Sequence, residues 1–261
     1  MLALFSILSL ALYKICSARI SLARKADELT LSKQAAYSMC EVVLRDLQED
    51  GSTYHTLYEL RLPREKEFGL ATVSYYFIDE ESRINVNNVS EEVIAQLENL
   101  DEKEAEKIYD SILRPFSVKE EILLVEDIDI EEYNEIKEFI TIYGSGVVNI
   151  NTAPKEVLIA LGMSESLVSD IINFRAGFDN EEITEDDNYF EGQGEIIDKL
   201  NEYYGLFQED EEKLEQLMAA GLIDAKSSNF NVKLEVKVKG RQAKNYDIIL
   251  NKNGVVNWRE Y

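Results

Sequence analysis

The residues best placed for chemistry are acidic. Asp179 to Glu195, DNEEITEDDNYFEGQGE, holds eight carboxylates in seventeen residues, and carboxylate oxygens are the ligands a hard cation such as calcium takes. The segment lacks the regular spacing of a known calcium loop, so a solvated acidic loop is the plainer reading. His55, the only histidine, has no cluster of possible ligands around it and is assigned no role. Cys16 and Cys40 sit on what reads as one helix, about 36 Å apart at 1.5 Å per residue. That is beyond disulfide reach, and they read as free packing thiols. No Ser/His/Asp, Cys/His or metal-ligand grouping occurs, and a lone histidine serves acid–base chemistry poorly. No catalytic, cofactor-binding or metal residue is assigned, and the chain is not expected to be an enzyme.

A second candidate is a hairpin of a kind that binds phosphate. Val147 to Arg175, VVNINTAPKEVLIALGMSESLVSDIINFR, opens with a short strand, turns at Asn149 to Thr152 and starts a helix with Pro154 in its first turn. Gly162 stops that helix in the left-handed conformation, and Ser164 caps the next one. Val157, Leu158 and Leu161 share one face of the first helix, and Leu167, Val168, Ile171 and Ile172 one face of the second. The unit reads as a helix-hairpin-helix. Such units bind nucleic-acid backbone when Gly-rich hairpins carry cations, but Leu161-Gly162-Met163-Ser164 has one glycine and no adjacent cation. The chain carries 27 basic and 51 acidic residues, a net charge of −24. The first 50 residues balance, so the excess negative charge lies after them, where it repels a polyanion. Nucleic acid is therefore not an expected partner.

These hairpins must be positioned by something larger. Ile84 to Asp110 superposes on Val148 to Asn173 at an offset of 64, falling to 63 after one extra residue near Glu98. Asn85, Asn87, Glu92, Val93, Leu97 and Ile108 recur as Asn149, Asn151, Glu156, Val157, Leu161 and Ile171. Ser117 to Lys137 repeats the pattern more loosely, and adjacent copies are expected to pack as one helical domain. Upstream, residues 1 to 13, MLALFSILSLALY, carry no charge and are followed by Lys14, Arg19, Arg24 and Lys25. Counted through Ala18, the run is a marginal bilayer span. Without a basic region before it or a cleavage site after it, it does not read as a signal peptide. The pattern continues through Leu22, Leu29, Ala36, Val43 and Leu47, predicting one helix of about 45 residues, its first third in lipid and the rest amphipathic. Phe68 to Asp79 reads as a strand, Asp79 to Ser82 as a turn and Arg83 to Val86 as a further strand. After the hairpins, Glu195 to Ile223 returns to helix. Asn229 to Lys239 alternates strictly and predicts an antiparallel strand, with two more at Asn245 to Leu250 and Val255 to Trp258 across an Asn253-Gly254 turn. The fold class is α+β: a long N-terminal helix on a small antiparallel sheet, with a large helical insertion. The expected divisions are 1–50 helix, 51–88 first strands, 89–225 inserted helical domain and 226–261 closing strands.

Four stretches carry a resemblance: Ile78 to Asn87 (IDEESRINVN), Pro115 to Val125 (PFSVKEEILLV), Tyr143 to Pro154 (YGSGVVNINTAP) and Trp258 to Glu260 (WRE). Together with the N-terminal helix they resemble, over nearly the whole chain, the K-class minor pseudopilins of type II secretion (general secretion pathway protein K). The resemblance implies a pilin-like fold with a helical insertion, a single-pass inner-membrane anchor and a periplasmic head. It implies a place at the pseudopilus tip with I- and J-class minor pseudopilins, in contact with the secretion machinery and with no small-molecule substrate. Family members carry a short basic leader cut by prepilin peptidase; none precedes Met1, so the sequence is expected to be the mature form or to start downstream of the true one. The Lys14 to Lys25 cluster alone suggests the opposite orientation, since positive charge tends to stay inside. Most pseudopilins carry a Glu at the fifth mature position, which the K class lacks; Phe5 stands there in this frame. Related domains bind calcium near a DW.D.D segment, which is absent where Glu106 to Pro115 stands. A hairpin protein of the competence type that binds nucleic acid, a calcium-dependent surface module and a minor pilin of a related type IV system are the alternatives.

Overall fold

The computed structural model describes residues 2–49, 55–97 and 100–261. The first 49 residues contain neither Gly nor Pro, and nothing in them interrupts a helix. They form α1, Leu2–Glu49, 48 residues and about 72 Å long at 1.5 Å per residue. Its two parts differ in surroundings. Phe5, Ile7, Leu8, Leu10, Leu12, Ile15, Ile20 and Leu22 are exposed, whereas Ser32, Ala35, Ala36, Met39, Cys40, Val43 and Leu47 form a buried stripe at helical spacing. Leu22 and Leu29, expected on that stripe, are exposed, because the sheet α1 packs on ends at about the level of Leu31.

A short helix α2, Leu57–Arg61, is capped by Thr56 in a reciprocal box with Glu59. The strand expected over Phe68 to Asp79 is present from Ala71 to Asp79, as the second arm of a hairpin whose first arm is unexpected. β1, Arg64–Phe68, and β2, Ala71–Asp79, fold back on each other at Gly69, whose φ of +63° suits glycine. β1 reads REKEF, an edge strand protected by charge, and gives no alternating signal.

The chain then enters an inserted block. β3, Ile84–Asn85, leads to α3, Glu91–Ala95, α4, Glu102–Tyr109, a 3-10 turn over Lys119–Leu124, α5, Ile130–Ile136, and β4, Ile140–Thr141. A second series follows: β5, Val148–Asn149, α6, Lys155–Ala160, α7, Glu165–Arg175, α8, Ile196–Tyr203, α9, Gln208–Ala219, and β6, Ile223–Asp224. β3 pairs in parallel with β4, and β5 with β6. The strand expected at Arg83 to Val86 therefore does not return onto β2. Ser117 to Lys137, expected as a third helix pair, has only a 3-10 turn as its first member and closes the first series. The extra residue expected near Glu98 lies outside the described residues. Glu195 to Ile223, expected as helix, breaks at Gly205 and ends in β6. Pro154 sits at the N-cap of α6, one position before its first turn. Ile84, Ile94, Ile108, Val157, Leu158, Val168, Ile171, Leu200 and Leu214 lie in one core that excludes α1 and the sheet.

The chain then returns to the sheet through β7, Asn229–Val238, β8, Arg241–Asn251, and β9, Gly254–Glu260. The antiparallel order is β1-β2-β7-β8-β9. β2 pairs with β7 from Ala71↔Val238 to Asp79↔Phe230, so the helical block is inserted between two neighbouring strands. Val73, Phe77, Phe230, Val232, Leu234, Val236, Tyr246, Ile248 and Leu250 pack on the C-terminal half of α1 in a second core. Gln48 Nε2 donates to Lys252 O at 3.0 Å, tying the end of α1 to the β8–β9 turn. At the opposite end Leu31 lines a cleft with Lys239 and Arg241 of the β7–β8 turn. The exposed half of α1 and the helical block thus lie at opposite ends of the sheet.

Candidate functional site

The stretches that carry the resemblance meet at the joint between block and sheet. Asp79 ends β2 and caps a 3-10 turn over Glu80–Ser82, accepting the Glu81 N–H at 2.8 Å. Its other oxygen accepts from Asn149 Nδ2 at 2.9 Å and from the hydroxyls of Thr152 and Ser227, each at 2.5 Å. Glu81 accepts from Ser228 N at 2.5 Å, Ser228 Oγ at 2.8 Å and Asn229 Nδ2 at 2.9 Å. Glu80 accepts from Thr141 Oγ1 at 2.5 Å and pairs with Arg83 at 3.0 Å. The sequence presents these three acids as a turn; the structure buries them, Asp79 to 2% exposure. Burial pushes the Asp79 carboxyl up to about 6, while its donors pull the other way.

Tyr143 to Pro154 wraps the same joint. Asn85 Nδ2 donates to the carbonyls of Tyr143 and Gly144 at 2.9 and 2.8 Å. Gly144 has φ +84°, and a Cβ there would lie 2.9 Å from Glu81 Oε1. A side chain larger than hydrogen therefore meets both backbone strain and a clash. Arg259 forms a two-point pair with Glu120 at 2.9 and 3.1 Å, and Asn257 Nδ2 donates to Tyr143 Oη at 2.6 Å. Four stretches distant in sequence thus make one polar joint whose acids are occupied by protein donors.

The repeated asparagines do equivalent work in both series. Asn85 Oδ1 accepts the Asn87 N–H and Asn149 Oδ1 the Asn151 N–H, both at 3.0 Å. Asn87 exchanges two hydrogen bonds with the Phe116 backbone, at 2.7 and 3.0 Å. Asn151 does the same with Phe190, at 2.8 and 2.9 Å, and also donates to Ala225 O at 2.9 Å. Asn151→Ala would leave these buried backbone groups unpaired and is expected to cost about 2 kcal/mol, read from denaturant midpoints. A loss below about 0.5 kcal/mol would mean that the turn is held by other contacts.

Around the second hairpin, Gly162 takes φ +80° and Ser164 Oγ accepts the Leu167 N–H at 3.1 Å, as expected of the two caps. The same hydroxyl donates to Asp210 of α9 at 2.7 Å, and the Lys213 ammonium of the same helix lies against Gly162, so the hairpin is covered by α9 with one charge of each sign.

The acidic segment does not fit a cation. Asp186 accepts the N–H groups of Phe178 and Asp179, at 2.8 and 3.2 Å, and the Thr184 hydroxyl at 2.9 Å. Those hydrogen bonds hold its carboxyl below the usual carboxylate range. Asp187 accepts from Ile183 and Thr184, Asp179 from Glu181, and Glu182 pairs with buried Arg175. Among the described residues, no group of three or more His, Cys, Asp and Glu is arranged to hold a metal. His55 stacks on Tyr189 at 4.6 Å. Both thiols are free, and burial pushes that of Cys40 up to about 12.

The other surface with obvious reach is the first part of α1. It is apolar around its circumference, with Phe5 64% and Leu8 55% exposed, and it is the one described helix long and apolar enough to cross a membrane. A long helix with an exposed apolar half, packed by its other half on an antiparallel sheet, defines a pilin-like α+β architecture.

Comparisons with known proteins support that class. No family model matches the sequence, and no curated protein sequence matches it. A chain in the crystal structure of the GspK-GspI-GspJ complex from the enterotoxigenic Escherichia coli type 2 secretion system is similar in fold. The TM-score is 0.65 at 13% identity, covering 93% of this chain and 99% of that chain. The likeness extends over helix, sheet and inserted block together.

Proposed function

We propose that this chain is a K-class minor pseudopilin that caps or initiates the pseudopilus tip of a type II secretion system and so supports protein export. The observation that carries the proposal is the placement of the inserted block at the end of the sheet farthest from the exposed half of α1. With α1 along the filament axis and its apolar part in the membrane, the block lies on the leading end. There it would occupy the space a subunit stacked above it needs. The first carboxylate in the sequence is Asp27, so the apolar part of α1 offers no group to neutralise the N-terminal amine of a subunit stacked above it. Both features suit a first subunit and oppose a position within the shaft.

In this reading the block is a helix-hairpin-helix domain used for shape, since Asp210 and Lys213 of α9 cover the second hairpin and the net charge of −24 disfavours a polyanion. The divisions at 50 and 225 are kept for anchor and closing strands, while the block would begin at β3, ahead of the expected 88. The head would lie in the periplasm and the anchor in the inner membrane. Partners would be I- and J-class minor pseudopilins, the classes that accompany the K subunit in the complex of similar fold, together with the secretion machinery. Gold-labelled full-length protein is expected at one end of isolated filaments. Labelling along the shaft at the density of the major subunit would overturn the cap.

A further inference from the structure

One feature is not accounted for by tip capping: the basic residues that follow the apolar segment. Lys14, Arg19, Arg24 and Lys25 occur with no acid among the first 26 residues of a chain whose net charge is −24. On the head side of a membrane such residues oppose the usual bias that keeps positive loops inside. The fold adds to them. Residues 237–244, KVKGRQAK, carry four cations and no acid, and the β7–β8 turn brings Lys239 and Arg241 to α1. Arg241 lines one cleft with Arg24, Lys25, Tyr13 and Ile20, and Arg241 and Lys239 line another with Arg24 and Leu31. Lys14, Arg19, Arg24, Lys25, Lys239 and Arg241 are all exposed. Among the described residues none of them forms an ion pair. The two clefts hold four cations, Arg24, Lys25, Lys239 and Arg241, and two acids, Asp27 and Glu28, so they stay positive.

Three details tie this collar to a lipid surface. Six residues of helix separate Ala18, where the apolar stretch ends, from Arg24, a rise of about 9 Å. A headgroup layer is about 5–8 Å deep on each side of the hydrocarbon, so Arg24 stands just outside it, with the headgroups within reach of its long side chain. Leu70, exposed, is at the same end, because Lys239 N donates to its carbonyl at 2.9 Å. Lys239 itself takes φ +51° ahead of Gly240 at φ +74°, in a two-residue turn where Asn or Gly would be unstrained. A lysine held there places its charge at the tip of the hairpin at some cost to the turn.

We infer that this collar docks on anionic phospholipid headgroups of the leaflet facing the head, fixing the depth and tilt at which the head stands on the membrane. The inference rests on the reading of α1 as a membrane anchor. The test uses the full chain in neutral phosphatidylcholine vesicles and in vesicles with 30% phosphatidylglycerol, about the composition at which an anionic surface attracts each nearby Lys or Arg appreciably. A fluorophore is attached through Gln242→Cys in a Cys16→Ser background, with a quencher on the lipid headgroups. Quenching is expected in the anionic vesicles and is expected to weaken with salt. Lys239→Gln with Arg241→Gln should lower the equilibrium constant for headgroup contact about 25-fold, about 5-fold per charge. Lys213→Gln, on the helical block, should leave it unchanged. Equal quenching in both vesicle types, or no effect of the double substitution, would overturn the collar. So would salt-sensitive self-association in vesicle-free detergent that the double substitution abolishes, since the cations would then serve an acidic protein face. Failure of the chain to float with neutral vesicles would instead remove the anchor on which the inference rests.

Discussion

Asp79→Ala is expected to destabilise the protein by about 3 kcal/mol at pH 7, because it removes the acceptor shared by both sides of the joint. The Glu81 N–H and one N–H of Asn149 Nδ2, whose other hydrogen goes to Ser227 Oγ at 2.8 Å, lose their partner in a buried setting, at about 1–3 kcal/mol for each unsatisfied donor, while the Thr152 and Ser227 hydroxyls can rotate to other acceptors. The carboxyl is fully buried and pushed up to about 6 from an ordinary 3.8. A raised acid contributes stability that is fully present below the ordinary value and is lost as pH rises through about 6. Acidification from pH 7 to pH 5 should therefore favour the wild type over Asp79→Ala by about a further 1 kcal/mol, from the linkage of a two-unit shift. Guanidinium unfolding of both proteins at the two pH values measures each quantity. A difference that shrinks on acidification would mean that the carboxylate, not the acid, is the form the joint favours.

Leu8→Asp is expected to reduce membrane association by more than about 100-fold. Leucine near the centre of a spanning helix favours insertion by about 0.5 kcal/mol and aspartate opposes it by about 3 kcal/mol, a combined change of about 3–4 kcal/mol. Leu8 is 55% exposed and outside both hydrophobic cores, so the head should keep its melting temperature. Flotation with neutral vesicles measures the first effect and calorimetry of the head transition the second. Unchanged flotation would mean that α1 is not what holds the chain to the bilayer. A lower melting temperature would mean that the apolar segment packs on the head. The two substitutions separate anchor from joint, which the proposed function needs as independent parts.

The two series of the block illustrate what a sequence can and cannot disclose. Asn85/Asn87 and Asn149/Asn151 recur at one offset because the turn they make is local, closed within three residues. Their partners Phe116 and Phe190 follow at 29 and 39 residues, since the intervening helices differ in length, and no constant spacing betrays them. Asp79, Glu80 and Glu81 read only as a turn, and successive acids are seldom buried. Only the donors from Asn149, Thr152, Thr141, Ser227, Ser228 and Asn229, 61 to 148 residues away, make their burial tolerable. The basic hairpin at 237–244 begins in the last residues of the alternating strand Asn229 to Lys239 and reads as nothing more than the link to the strand at Asn245. Its charge count against a net of −24 was a usable signal, but its neighbour on α1 was not.

Local chemistry in the sequence alone determined the unbroken α1 with its apolar start, the three closing strands, the caps at Gly162 and Ser164 and the repeated turns. Each depends on residues within a few positions of one another, where propensity and periodicity act. Tertiary structure alone decided that β2 and β7 are neighbours across the inserted block, that α1 is covered only from about Leu31, that the acids of the joint are buried and that Arg241 stands beside Arg24. Those outcomes depend on which distant surfaces exclude water together, a free energy shared by the whole chain and not carried by any one segment of it.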